Sequence, residues 1–359
     1  MKKINRLNIG DTVAIVALSN GLLNQEFQIK KLEKNLKSLG LKVVYPTNAR
    51  KSFDELKGYS GAKLRADDLK ELFKNKDIKA VFTAIGGDDT YRTIPYLMKD
   101  KDFVKSVKNN PKIFSGFSDT TINHFMFYKL GLNTFYGPNG LNDLAELDKK
   151  LLPYTEESLS HYFNGFKDYE IKSSKFWYEE RTDFSEKSLN KPRKKHKETR
   201  GYEVLQGSGK VKGKLIGGCI ESLTDMLASD CYDDQVSVCN EYKIFPVKKD
   251  WKNKIIFLEN SADFASEVEL RKMLEILALK GIFGKAKAVI LGKPQNNYKY
   301  NEYKEVYIKF FSNLKNKKLK VVYNFNFGHS YPRCIIPYNA KAELDLDNKV
   351  LKIRQKILR

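Results

Sequence analysis

Along the first 140 residues the apolar positions switch between two periods. Short β-branched runs at Thr12–Ala17, Lys42–Tyr45, Ala80–Ala84 and Lys112–Phe114 predict strands. Between them Phe27–Leu39, Ala62–Phe73, Asp89–Met98 and Thr120–Leu130 carry apolar residues at helical spacing, with Gly40 placed to stop the first. Such alternation predicts an α/β fold, with a mostly parallel sheet covered on both faces. Ligands of such a sheet sit beyond the carboxyl ends of its strands.

The pattern lapses over 165–200, which ends in KSLNKPRKKHKETR. A run this basic reads as a linker or a mobile surface loop, with a nucleic-acid contact as the other reading. From Gly201 the periodicity returns. Strands are expected at Lys210–Leu215, Ile255–Leu258, Ala288–Leu291 and Lys320–Asn324. Helices are expected at Glu221–Leu227, led into by Gly217-Gly218, and at Glu267–Leu279 and Tyr303–Leu314. Ala340–Ile353 reads as a closing hairpin about Asp347-Asn348. A chain of 359 residues suggests two domains, here 1–160 and 201–359, joined by a connecting loop at 161–200.

Charge changes this picture little. The net charge of +21 raises the question of a nucleic-acid partner. The lysines are dispersed along helices, as in Lys30-Lys31-Leu32-Glu33-Lys34, and the aromatics lie inside apolar runs. Solvated faces are the favoured reading and a nucleic-acid partner is not expected, although a positive field attracts anionic substrates. No apolar run reaches the roughly 18 residues of a spanning helix, and TVAIVAL near the start reads as a strand, not a signal peptide. The expectation is a cytoplasmic protein with no membrane partner. Cys219, Cys231, Cys239 and Cys334 form no CxxC pair and have no histidine at ligand spacing, so neither a disulfide framework nor a metal site is expected. Neither GxGxxG nor GxxxxGK[ST] is present, so no cofactor is expected.

Candidate chemistry lies at three strand ends. In KIFSGFSDTT a strand runs into Gly116-Phe117-Ser118-Asp119 and then a helix, the layout that exposes a nucleophilic serine at a sheet edge. Thr120 stands where a second glycine is common, and Ser118 equally suits a helix N-cap. Glu259 ends the strand of KIIFLEN, and His329 follows the strand of VVYNFNFGHS. Of the other histidines, His124 lies within a helix and His196 in the basic run. A serine needs a base to attack near neutral pH, and the base needs an acceptor to fix its tautomer. Ser118, His329 and Glu259 supply these roles in an order such triads use. Gly86-Gly87, after the strand of AVFTAIGG, and the residue after Ser118 offer an oxyanion hole from the Gly87 and Asp119 N–H groups.

The segments IGDTVAIVA, RADDLKELFKNKDIKAVFTAIGGDDT, IFSGFSDTTINHF, GKLIGGCIESL, IIFLENS, AVILGK and GHS–IPYNAKAELD resemble, in order, the LD-carboxypeptidase family of serine peptidases and its microcin C immunity branch. The resemblance implies a Rossmann-like, flavodoxin-like N-terminal domain and a C-terminal α/β domain with a small barrel-like or swivelling β-structure. It also implies a metal-free Ser118–His329–Glu259 mechanism, an oxyanion hole from Gly87 and Asp119, and a homodimer. Two chemistries occur in the family. One removes D-alanine from murein tetrapeptides. The other cuts the amide of a peptidyl-nucleotide, and Ile85-Gly86-Gly87-Asp88-Asp89 looks closer to it. The chain departs from the family in having Leu18-Ser19 for Pro-Ser and Cys219 for Asn. Gly86, Asp88, Trp177, Lys293 and Arg333 are candidates for substrate contact, with Trp177 equally readable as a loop anchor. A non-catalytic binding protein and a basic nucleic-acid binder are the alternatives from other classes.

Overall fold

The computed structural model describes residues 3–359 apart from Asn20, Leu22 and Asn24. Its strands in chain order are β1 (Thr12–Val16), β2 (Lys42–Val44), β3 (Ile78–Thr83), β4 (Ile113–Gly116), β5 (Phe135–Tyr136), β6 (Glu170–Ile171), β7 (Phe176–Tyr178) and β8 (Lys195–Lys197). They continue with β9 (Glu203–Gln206), β10 (Lys210–Cys219), β11 (Lys254–Glu259), β12 (Ala288–Gly292), β13 (Lys320–Phe325), β14 (Ile336–Pro337), β15 (Lys341–Asp345) and β16 (Val350–Ile353).

One sheet runs β2–β1–β3–β4–β5–β14. Its first five strands are parallel, and β14 joins antiparallel to β5. Strands β1, β3 and β4 are buried almost throughout, so they read as continuous apolar runs. The second sheet runs β6–β16–β15–β10–β11–β12–β13–β9. Its centre, β10 to β13, is parallel, and antiparallel strands flank it on both sides. This is the α/β class read from the sequence, a parallel sheet followed by a second α/β unit with extra β-structure. The two units are stitched together, because β14 comes from the C-terminal part of the chain and pairs in the first sheet. Among the described residues no helix is long and apolar enough to cross a membrane.

Several local expectations need correction. Asp89–Met98 is not one helix. A 3-10 turn at Thr90–Thr93 leads into a short helix at Ile94–Met98, because Pro95 has no N–H to carry a helix through and instead starts a new one. Helices at Lys101–Asn109 and Pro153–Asn164 were not anticipated. The second runs across the expected domain boundary at residue 160. Gly217 and Gly218 lead, through Cys219, into the helix Ile220–Asp225, as expected. They lie within β10, held extended by pairing with β11 as far as Cys219 and Glu259.

The basic run is partly ordered onto the protein, although six of its seven basic residues are exposed. β7 and β8 make a two-stranded ribbon, and Arg193 is buried against Glu146 at 2.6 Å and Glu180 at 2.8 Å. Its guanidinium also lies 3.7 Å from the centre of the Tyr331 ring. Arg181 takes the other Glu146 oxygen at 2.6 Å. The charge pattern misled because the acid that pairs with the run lies far upstream in the sequence. Removing Arg193 leaves one oxygen of a buried carboxylate without its partner, while Arg181 keeps the other. Arg193→Ala is therefore expected to destabilise the protein by about 1–3 kcal/mol, read as a lowered urea midpoint.

Candidate active site

Three strand ends meet at one place. β4 ends at Gly116, and the chain turns through Ser118 before the helix Thr120–Leu130. Ser118 has φ of +65°, a left-handed conformation that a non-glycine residue holds only when its surroundings fix it. The fixing contacts are specific. The Ser118 N–H donates to the Tyr136 hydroxyl at 3.2 Å, and the Ser118 carbonyl accepts from Thr121 Oγ1 at 2.7 Å. Ser118 is thus not the N-cap of the helix, and Asp119 occupies that position without a side-chain capping bond.

Glu259 ends β11 and is 1% exposed, and His329 follows β13. Glu259 Oε2 accepts from His329 Nδ1 at 2.8 Å and from the His329 backbone N–H at 3.2 Å. On the other side of the ring, His329 Nε2 lies 3.1 Å from Ser118 Oγ. Phe117 packs edge-on to the imidazole, its ring centre 5.1 Å away. Burial by itself would disfavour the imidazolium. The charge and hydrogen bond of Glu259 outweigh it, so the His329 pKa is raised above 6.5. The chain glutamate–histidine–serine has the geometry in which an imidazole takes the hydroxyl proton and a carboxylate steadies the charge that results.

The remaining glutamate oxygen has a partner that the sequence did not suggest. Tyr136, on β5 and fully buried, donates its hydroxyl to Glu259 Oε1 at 2.5 Å. One phenol therefore bridges the acid and the backbone of the serine turn. No local motif marks Tyr136. Its signal is only that a buried tyrosine hydroxyl needs a partner.

The Gly86–Asp89 segment lies against the serine. A Cβ on Gly86 would stand 2.8 Å from Ser118 Cβ and 3.6 Å from the Asp119 nitrogen. Among the described residues neither the Gly87 nor the Asp119 N–H has a protein acceptor. The segment is anchored from below. Ser19 Oγ accepts from the Asp88 and Asp89 N–H groups at 3.1 and 3.2 Å. Buried Arg65 grips both Asp89 oxygens, at 2.7 and 2.9 Å, and the Leu18 carbonyl at 2.7 Å. Asp88 is exposed beside the serine turn. The Asp119 carboxyl points away and accepts from the Thr90 N–H at 2.9 Å. Burial, with the charges of Asp89 and Asp88 adding and the Thr90 bond opposing, pushes it up to about 7.

Other candidates are placed differently. Lys293 is buried in an ion pair with Glu198. Arg333 is buried with Asp143 at 2.6 Å and donates to the Gly328 and His329 carbonyls. Both charges are paired inside the protein, Arg333 against the segment that carries His329 and Lys293 against Glu198. Trp177 is half-buried on β7 with the His196 ring stacked on it at 4.1 Å. His124 is fully buried between Thr134 and the Gly116 carbonyl, and burial drops its pKa to about 3. Cys219, at the end of β10, brings its sulfur within 4.8 Å of the ligating atoms of Glu259 and His329, a grouping that linear spacing concealed. Burial and the neighbouring carboxylates of Glu221 and Glu259 raise the thiol well above its usual pKa, and it donates to Glu221 Oε2 at 3.2 Å. The His329 Nδ1 in this group is already bonded to Glu259.

The chain matches the LD-carboxypeptidase N-terminal domain over residues 13–137 and the LD-carboxypeptidase C-terminal domain over residues 212–344. It is 29% identical over 301 residues to the microcin C7 self-immunity protein MccF of Escherichia coli, covering 82% of this chain and 79% of that protein. The crystal structure of an MccF-like protein from Streptococcus pneumoniae in complex with AMP superposes with a TM-score of 0.90 at 38% identity, covering 96% of this chain and 98% of that one. The microcin C7 self-immunity protein MccF in complex with aspartyl sulfamoyl adenosine gives a TM-score of 0.79 at 28% identity, with both chains covered completely.

Two measurements probe this geometry. In Tyr136→Phe, Glu259 Oε1 and the Ser118 N–H lose a buried partner at about 1–3 kcal/mol each. A stable variant with kcat down about ten- to a hundredfold and KM little changed is expected. By NMR titration, the His329 pKa is expected to lie above 6.5 in the wild type and to fall in Glu259→Gln, because burial then acts without the carboxylate.

Proposed function

The chain belongs to the LD-carboxypeptidase family of serine peptidases, and from that premise we propose that it hydrolyses an amide bond in a small peptidyl-nucleotide or peptide, with Ser118 as nucleophile. The observation that carries the reading is the hydrogen-bonded chain from buried Glu259 through His329 to the strained Ser118.

In this reaction Ser118 Oγ attacks the amide carbonyl as His329 Nε2 takes its proton. The imidazolium so formed is stabilised by Glu259, which also fixes the proton on Nδ1. The tetrahedral oxyanion rests on the Gly87 and Asp119 N–H groups, which have no other protein acceptor among the described residues. His329 then gives its proton to the departing nitrogen, and the C–N bond breaks to leave an acyl-enzyme on Ser118. Water, deprotonated by His329, releases the acid and restores the serine. The Arg65–Asp89 pair and Ser19 hold the oxyanion segment in place, so no reorganisation is needed as charge develops.

A nucleotide-like leaving group is favoured by similarity to structures holding AMP and aspartyl sulfamoyl adenosine. Trp177 is the residue we assign to a stacking contact with the base, with one indole face already covered by His196. The second reading, release of D-alanine from a murein tetrapeptide, is favoured by the description that both matching domain models carry. A homodimer belongs to the same proposal, and a monomer mass in sedimentation equilibrium would remove that part.

Ser118→Ala is expected to lower kcat by about four or more orders of magnitude with the fold intact. Full activity in the purified variant would refute the mechanism. Side-by-side assays with an aspartyl sulfamoyl adenosine amide and a murein tetrapeptide decide the substrate. Turnover of the first alone is expected, and turnover of the second alone selects the carboxypeptidase reading.

A further inference from the structure

The outward rungs between β10 and β15 differ in one respect. Lys210 stands opposite Asp345, and Lys212 opposite Glu343. Each of these rungs is an ion pair, at 3.2 and 3.4 Å. The next rung on the same face breaks the rule, because Lys214 stands opposite Lys341. On its other side Lys214 is level with Lys254 of β11. Three lysines thus lie abreast across three neighbouring strands. Like charges directly opposite one another destabilise a sheet, and among the described residues no carboxylate forms an ion pair with them, Asp250 acting on Lys254 only from a distance.

The row forms part of a groove of about 550 Å³, lined also by Lys212, Lys252 and Arg354, with no acidic residue among those lining it. Arg354 is spent on Glu343 and Asp168, and Lys212 on Glu343. Lys254 is 8% exposed, and its ammonium has a weak contact to Asn339 Oδ1 at 3.4 Å and lies 5.7 Å from the centre of the Tyr128 ring. Burial first and the charge of Lys214 second lower its pKa. A nearly buried ammonium without a carboxylate partner, set beside two more cations, is a poor arrangement for the empty protein and a good one for an anion.

We infer that the Lys214, Lys254 and Lys341 row is a binding site for a compact polyphosphate anion, separate from the Ser118 site. The separation follows from the strand. Lys254 and Glu259 are the two ends of β11, about 16 Å apart at the rise of a strand. The size class follows from the row itself. Three neighbouring strands span only about 10 Å. Beyond them the face carries Glu343 and Asp345, which compensate their own lysines and would repel a polymer tracking along β10. A diphosphate or triphosphate fits this short cationic stretch, and a nucleic-acid strand does not.

The test is thermal shift and calorimetry on the full chain with tripolyphosphate, pyrophosphate, orthophosphate and a single-stranded oligonucleotide. Saturable stabilisation is expected, strongest with tripolyphosphate. The double variant Lys214→Gln/Lys341→Gln is expected to bind at least about tenfold more weakly. Lys309→Gln, an exposed position on the helix Tyr300–Asn313, should leave binding unchanged. Lys341→Glu restores an opposite-charge rung, so it is expected to raise the melting temperature of the free protein while abolishing the anion-induced shift. Absence of a saturable shift with tripolyphosphate, an equal shift in the double variant, or tighter binding of the oligonucleotide would each overturn the assignment.

Discussion

A carboxylate buried between two sheets sets the terms for this molecule. Glu259 is 1% exposed, and a charge so placed must be matched by donors or it destabilises the fold. The donors come from both halves of the chain. Tyr136 reaches it from the first sheet, and the His329 ring and backbone reach it from the loop after β13. Satisfying one glutamate therefore fixes the relative placement of the sheets, the tautomer of the histidine and, through the Tyr136 hydroxyl, the serine turn. Gly328 belongs to the same constraint. It has φ of +77°, and a Cβ there would lie 2.2 Å from Glu259 Cδ, so the residue before the histidine must be one that leaves the carboxylate room.

The serine turn is the other side of that arrangement. A left-handed Ser118 is costly unless several contacts determine it at once. Tyr136 takes its N–H, Thr121 bonds its carbonyl, and the imidazole meets its hydroxyl. Thr121 is held in turn by the Cys219 N–H, which donates to its hydroxyl at 3.1 Å. The strain is thus borne by elements of both sheets, and the hydroxyl is presented to the histidine without a second glycine in the turn. Thr120, which occupies that position, sets its hydroxyl 3.4 Å from that of Thr83.

What was legible in the sequence follows from this division of labour. Strands β1, β3, β4 and β11 to β13 were readable because burial on both faces writes itself as an apolar run, and the helix Glu267–Leu279 because one face is apolar, whereas Thr120–Leu130 is buried all round over its first eight residues. Ser118, Glu259 and His329 stood out because each ends or follows such a strand. Tyr136, Arg193 and Cys219 did not, since their meaning lies in partners 40 or more residues away in the chain. The ion pairs of Lys293 and Arg333 were hidden for the same reason. A cation near a strand end looks available until the acid that neutralises it, Glu198 or Asp143, is located.

The net charge of +21 was a poor guide for a related reason, because charge acts locally here. Around the proposed nucleophile the balance is acidic. Asp88 and Asp89 precede the serine turn in space, Asp119 follows it, and Glu221 and Asp225 lie on the helix after β10. Asp225 and Asp119 each reach about 7, chiefly through burial, with the charge of Asp119 adding to the rise of Asp225 and those of Asp89 and Asp88 to the rise of Asp119. Glu259, and less so Glu221, raises the pKa of His329 against burial and the charge of Arg333. In the proposed reaction the histidine must become a cation in a buried place, and burial resists that step. The acids around it supply the opposing field, so the excess of lysine on the outer faces and the excess of carboxylate within have separate physical consequences: the first governs what the protein attracts, the second the charge that His329 can carry.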